Sequence, residues 1–368
     1  MSHSIRCAAD MTRVFEEKKE LGGAILLPVG EYPVLSPVLM DSPSIRLRGE
    51  VWAYNLDPNG VFETRYGTKL RLVGRDHAAI SIGSRDLPAG CMVSDIGIQG
   101  DIVGMDTRDM FDPARPDHSA GLYFGNERVD QGDFNKISCC GLAVGVSAAE
   151  NSEIDACDFR KINVDGCCVG FYFAPRASYY TRFHRCIVGD TPSYGFLAGK
   201  DGARLFTLSI IETHFVRNGG GSRIPGEVPA AVLLKGIKLS VFSGNMIDAP
   251  GTFWYFRPDA VSNSDKTVIE NPTVGLYLTG KKNKITNNVC EHSSRESMII
   301  KGDENVLMGN IVDSDVVIEG IGNIVNGLAF TKPEARLILV GAAAESTSVL
   351  GVEERRIVRK PEMSAWTV

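Results

Sequence analysis

Phe242-Ser-Gly-Asn-Met-Ile247 is answered further along by Ile285-Thr-Asn-Asn-Val-Cys290 and then by Leu307-Met-Gly-Asn-Ile-Val312. Each copy is a pair of short apolar runs split by a small turn, with Asn245, Asn288 and Asn310 in the same place. Asparagine tolerates a left-handed backbone and bonds neighbouring main chain, so a stacked asparagine column at a corner between two strands is the expected arrangement. Upstream, Cys186 and His214 align best with that column.

A second phrase recurs in phase with the first. It reads Gly121-Leu-Tyr-Phe124, Ala143-Val-Gly-Val146, Gly170-Phe-Tyr-Phe173, Gly195-Phe-Leu-Ala198, Ala231-Val-Leu-Leu234, Gly275-Leu-Tyr-Leu278, Ser297-Met-Ile-Ile300 and Asp315-Val-Val-Ile318. These starting positions are 22, 27, 25, 36, 44, 22 and 18 residues apart. Strand-forming repeats near this period belong to a coiled solenoid, in which each unit buries its apolar face only against the next. The fold class expected is therefore all-β, with long faces and shallow grooves that suit an extended polymer.

With 39 Gly, 17 Pro and 43% hydrophobic residues in 368, the chain is turn-rich and has enough apolar material for one elongated core. A net charge of −6 argues against nucleic acid or an acidic membrane surface as partner. No apolar run approaches the ~20 residues of a membrane span, and Met-Ser-His-Ser-Ile-Arg at the start has no hydrophobic run suited to secretion. The nine cysteines fall largely in apolar strand phrases, among them Cys139-Cys140, Cys157, Cys167-Cys168 and Cys186, without metal-ligand spacing. Buried reduced thiols, synthesis in a reducing cytoplasm and no metal or cofactor are the expectations.

Residues 8–21 carry Met11, Val14, Phe15 and Leu21 on one side and charged residues on the other, which predicts an N-terminal capping helix stopped by Gly22-Gly23. Coils are expected over 22–330, and C-terminal strands with a polar tail over 331–368. No Pro/Ser-rich linker divides the chain, so residues 1–368 read as a single domain.

The helix, the phrase Gly22-Gly-Ala-Ile-Leu-Leu-Pro-Val-Gly-Glu-Tyr32 and the stacked repeats together resemble the right-handed parallel β-helix superfamily typified by pectate lyases. That resemblance covers nearly the whole chain and implies a carbohydrate polymer as ligand; the superfamily also includes phage tailspikes. Ser297-Met-Ile-Ile-Lys-Gly-Asp-Glu-Asn-Val306, with Leu337-Ile-Leu-Val340 and Ser348-Val-Leu350, resembles the inulin fructotransferase and difructose-anhydride hydrolase family. The family's carboxylate pair does not transfer residue by residue. Resemblance to fructotransferases and tailspikes implies a homotrimer. The polygalacturonase motifs are missing, and Pro116-Asp117-His118 reverses the Asp-Pro-His order of alginate epimerases and related lyases. No set of clustered carboxylates ahead of an arginine marks a calcium-dependent lyase.

Two positions past the corner hydrophobe, the units place Lys161, Arg217, Asp248, Glu291 and Asp313, with Asp190 one residue further along its own unit. Neighbouring coils lie about 4.8 Å apart. Carboxylates one coil apart then approach the ~5–5.5 Å of retaining glycosidases, and two coils apart the ~6.5–9.5 Å of inverting ones. Asp248 and Glu291, with Asp190 in reserve, are the candidate acid–base residues. A row of ordinary solvated side chains on a turn is the competing reading. Long inserts interrupt the repeats at 106–119, at 218–229 and from Asp248 onward, and loops of that length on a regular scaffold are usually functional. Trp254, Tyr255 and Arg257 in the last of these, with Arg217, are the candidate sugar-binding residues, and Trp52 with Tyr54 forms a smaller patch. The chain is thus expected to act on a polysaccharide or oligosaccharide as a glycoside hydrolase or a glycosyl (fructosyl) transferase. A phage-type tailspike or receptor-binding structural protein is the alternative.

Overall fold

The computed structural model describes residues 23–41, 45–54, 67–83, 90–100, 110–125, 128–200, 203–219, 224, 226–256 and 266–361, without the side chains at 255, 256 and 266. The expected capping helix over 8–21 and Arg257 lie outside these residues, as does the side chain of Tyr255.

The described strands stack in parallel from coil to coil, giving a parallel β-helix. A central turn of it shows why the sequence folds this way. Val169–Phe173 forms the first face, Ala177–Tyr179 the second, Arg182–His184 the third and Ile187–Gly189 the fourth. The chain then returns to the first face one coil up, at Tyr194–Ala198. On the third face Phe134, Phe159, Phe183, Ile210, Phe242, Ile285, Leu307 and Val325 share one inward column. All are essentially buried, and Phe159 and Phe183 stack at 4.6 Å with rings 7° apart. Period-2 alternation puts one hydrophobe per short strand into the core, and in-register pairing stacks like on like. The stacking continues through Leu337–Val340 to Ile357–Lys360.

The corners make the coils possible. Asp95, Lys136, Lys161, Arg185, Glu212 and Asn287 all take positive φ, between 50° and 57°, between the third and fourth faces, and Gly244 and Gly309 do so in the same column. The left-handed residue is thus the one before the ladder asparagine, a correction to the expectation that Asn245, Asn288 and Asn310 would hold it. It breaks the strand-to-strand hydrogen bonding, and the N–H of the next residue needs another acceptor. The asparagine one coil up supplies it: Asn245 N–H donates to Asn288 Oδ1 at 3.0 Å, and Asn288 N–H to Asn310 Oδ1 at 3.0 Å. Upstream the ladder runs through Thr213, whose N–H reaches Asn245 Oδ1 at 2.9 Å, and on to Cys186. Cys186 therefore aligns as expected, but the next member is Thr213 and not His214, whose strand position faces Met246. A second ladder, Ser240–Asn283–Asn305–Asn323, closes the corner ahead of the third face by the same device.

The apolar phrase needs a smaller correction. Val144 pairs with Val169, so Gly145, not Ala143, aligns with Gly170. A Cβ on Gly145 would meet Val164 Cγ1 at 2.6 Å, and one on Gly170 would meet Val188 Cγ1 at 2.4 Å. The glycine column lets the first and fourth faces close on each other.

Eight described cysteines are free and buried. Burial pushes the thiols of Cys91, Cys139, Cys186 and Cys290 up to about 12, so they act as small core hydrophobes and not as nucleophiles. The inserts fold back on the outside of the first face. Phe111 lies 4.9 Å from Tyr172, and Tyr194 Oη donates to Val228 O at 3.1 Å.

Candidate active site

The fourth face carries the carboxylates singled out in the sequence, and its register rearranges them. Val216 pairs with Asp248, and Asp248 with Glu291. Asp248 and Glu291 therefore stand directly above one another on adjacent coils, at the end of a strand whose preceding residues, Ile247 and Cys290, are buried. Alternation turns both carboxylates outward. Arg217 is not in this column. It falls one residue later with Asp190, in the left-handed corner between the fourth and first faces that also holds Ala249 and His292. Lys161 belongs to the corner between the third and fourth faces, a full strand earlier. Asp313 follows Val312 on the next coil, but it is 4% exposed and committed to the Ser293 N–H, the Ser297 hydroxyl and Lys332 at 2.9 Å.

Shared corner geometry explains the strongest contact on this face. Asp190 and Arg217, both left-handed and one coil apart, project in parallel. The Arg217 guanidinium donates to both oxygens of Asp190, Nε to Oδ1 at 2.8 Å and Nη2 to Oδ2 at 2.7 Å. Such fork-to-fork bonds are the strong, directional form of ion pair. Burial, the larger influence, lowers the Arg217 pKa, but hydrogen bonds and charge from Asp190, with Asp165 and Asp248, outweigh it and leave the net shift upward.

The insert after Asp248 is a hairpin and not an open loop. Thr252–Phe256 pairs antiparallel with Lys266–Glu270. It reaches back so that Trp254 N–H donates to Asp190 Oδ1 at 3.1 Å, and the Arg217 guanidinium lies 3.7 Å from the centroid of the Trp254 ring. One face of the indole is thus occupied by Arg217. Asp190, Arg217 and Trp254 form one pre-set unit beside the Asp248–Glu291 pair.

Two histidines complete the face, and sequence reasoning gave neither a chemical role. His292 Nδ1 lies 2.8 Å from Asp248 Oδ1, and that hydrogen bond, then the charge of Asp248, raises the imidazole pKa. His214 is the opposite case. Burial pushes its pKa down and Arg217 adds to the fall, while Asp248 opposes it. Its Nε2 is buried with no hydrogen-bond partner. A neutral imidazole with an unengaged ring nitrogen, near a carboxylate pair, can accept or relay a proton. NMR titration of the ring protons is expected to place His292 above, and His214 below, the ordinary value near 6.5. Asp248→Asn should bring His292 back toward that value, because its principal partner loses its charge. The signal in the sequence was only positional, since each histidine lies within two residues of a corner hydrophobe.

The smaller aromatic candidate stands apart from the fourth-face carboxylates, with Tyr54 exposed. Trp52 packs edge-on against Tyr54 at 4.7 Å, and its Nε1–H donates to Ser138 Oγ at 3.0 Å.

No family model matches the chain, and no curated protein does. Among solved structures it is similar to DFA-IIIase from Arthrobacter chlorophenolicus A6 in complex with GF2, with a TM-score of 0.66 at 12% identity over 98% of this chain and 95% of that one. The same enzyme without its lid gives 0.65 at 13% identity, over 97% and 95%. The A-module of mannuronan C-5 epimerase AlgE4 from Azotobacter vinelandii gives 0.57 at 11% identity, over 100% and 96%. At such identities the likeness fixes the fold, and the chemistry rests on this chain's own residues.

Proposed function

We propose that this chain is a carbohydrate-active enzyme that hydrolyses or transfers glycosyl units of an oligosaccharide or polysaccharide along its fourth face. The observation that carries the reading is the in-register pair of outward carboxylates, Asp248 and Glu291, on adjacent coils beside the Asp190–Arg217–Trp254 unit. Similarity of fold to DFA-IIIase, described in complex with GF2, and to a mannuronan epimerase supports a carbohydrate ligand.

A pair separated by one coil suits the retaining route. Asp248, which accepts the His292 hydrogen bond, is the nucleophile in this reading. Glu291 gives its proton to the leaving oxygen and takes one back from the incoming hydroxyl. If that hydroxyl belongs to water the outcome is hydrolysis, and if it belongs to a sugar, transfer. The Arg217 guanidinium and the Trp254 ring would hold the neighbouring sugar. Assembly as a homotrimer is part of the proposal through the resemblance to fructotransferases.

A glycan-library screen with mass-spectrometric product detection tests it. Smaller or rearranged products support an enzyme, and product masses separate hydrolysis from transfer. Binding of a glycan with no product across the library would favour the tailspike-like reading instead.

A further inference from the structure

A cavity of about 660 Å³ opens on the second face, whereas the Asp248–Glu291 pair stands on the fourth. The second face had no place in the sequence reading of function. Its strands Arg128–Asp130, Glu153–Asp155, Ala177–Tyr179 and Arg204–Phe206 stack in register. Outward columns therefore run Arg128, Glu153, Ala177, Arg204 and Asp130, Asp155, Tyr179, Phe206. Arg176, one residue ahead of its strand, joins the lining.

We infer that this cavity binds an acidic sugar unit of a glycan, its carboxylate on Arg204 and its ring against Tyr179. Three guanidinium groups line the cavity against two carboxylates. Arg176 is taken by Glu153, and Arg128 sits 3.8 Å from both Asp130 and Asp155. Arg204 is exposed and has no ion pair among the described residues, so its guanidinium fork, and not a net positive charge of the cavity, is what a ligand carboxylate would meet. Arginine presents a planar fork that matches a carboxylate in two parallel hydrogen bonds. Burial, then the charge of Asp130, raises the Asp155 pKa, and its Oδ1 is buried with no hydrogen-bond partner.

The aromatic side of the cavity points to a sugar and not a bare ion. Tyr179 and Phe206 stack one coil apart at 5.7 Å with rings 5° from parallel, and Lys238 lies 5.4 Å from the Phe206 centroid. A rigid aromatic pair beside a cation offers an apolar surface to the C–H face of a pyranose while the fork holds its charged substituent. The inference takes from the proposed function only the ligand class. It stands on residues that the glycosyl chemistry does not use.

Calorimetric titration of the full chain with trigalacturonate, with neutral maltotriose and with inorganic phosphate tests it. Trigalacturonate is expected to bind at least about ten-fold more tightly than either of the others, the contribution of one charge-assisted fork. Arg204→Gln should remove that advantage and Arg204→Lys should keep part of it, because lysine retains the charge without the planar fork. Tyr179→Ala should weaken trigalacturonate and leave phosphate unchanged. Equal affinity for maltotriose, an unaffected Arg204→Gln variant, or phosphate binding as tightly as trigalacturonate would each overturn the assignment. Arg204 is exposed, so its variants should unfold like the parent. Asp248→Asn should leave this binding intact, which separates failure here from failure of the glycosyl-transfer reading.

Discussion

Asp248→Asn and Glu291→Gln are each expected to lower kcat on a glycan that the parent cleaves by about 10²–10⁴-fold, the usual contribution of a positioned acid, base or nucleophile. Both changes are nearly isosteric and both side chains lie on the outside of a coil whose core stays in place beneath them. The fall should therefore come with little change in unfolding. If the two act as one unit, the double variant should be scarcely slower than the worse single one, since either loss alone disables the route. His292 offers an internal control. Its hydrogen bond to Asp248 is mostly exposed, so His292→Gln should cost far less than either carboxylate. Steady-state kinetics with mass-detected product decides the matter. Full activity in both single variants would reduce this row to solvated side chains on a turn.

Asn288→Ala is expected to cost about 2–5 kcal/mol, although the residue touches no candidate site. Asn288 is fully buried, and its side chain serves three coils. Its Oδ1 accepts from Asn245 N–H at 3.0 Å, while Nδ2 donates to Asn310 Oδ1 at 2.9 Å and to Phe242 O at 3.0 Å. Alanine would leave the Asn245 N–H buried without its acceptor, at about 1–3 kcal/mol for a group left unsatisfied, and would take one donor each from the Phe242 carbonyl and from Asn310 Oδ1. Asn288→Asp, which keeps the acceptor and loses the donor, should still satisfy the Asn245 N–H. Because each coil contacts only its neighbours, the damage should be local, and urea denaturation should be less cooperative than in the parent. Hydrogen exchange should then show loss of protection centred on the coils of Asn245, Asn288 and Asn310. An unchanged urea midpoint would mean that water replaces the side chain.

The fold was legible because the solenoid writes its core into the sequence at short range. Phe242, Ile285 and Leu307 each sit three residues before an asparagine, and that spacing survives whatever lies between the units. Positions were less legible at the corners. The sequence marks Asn287 and Asn288 alike, and only the backbone separates the left-handed residue from the one that bridges coils. The same ambiguity shifted His214 into the place of Thr213, and Arg217 into that of Val216. A one-residue slip turns a side chain from one direction to another, which the motif alone does not resolve. The pairing of Asp190 with Arg217 depends on two units 27 residues apart sharing one corner, a relation between coils that composition does not carry. The second-face cavity was missed for a different reason. Its three-residue strands are too short to register as a repeat, and Arg128, Arg176 and Arg204 look like scattered surface charges until the coils stack.

The unequal lengths between repeats have one further consequence. Both the 218–229 segment and the hairpin from Thr252 leave the coil at the same corner, after the fourth face, and the chain rejoins the first face in register each time. A residue gained or lost there never alters the phase of the stack. At that corner the scaffold therefore behaves like a spine with a permissive socket, at which new appendages can be grafted without renegotiating the core. Specificity on such a molecule is free to diverge quickly along that edge while the two asparagine ladders hold the stack in register.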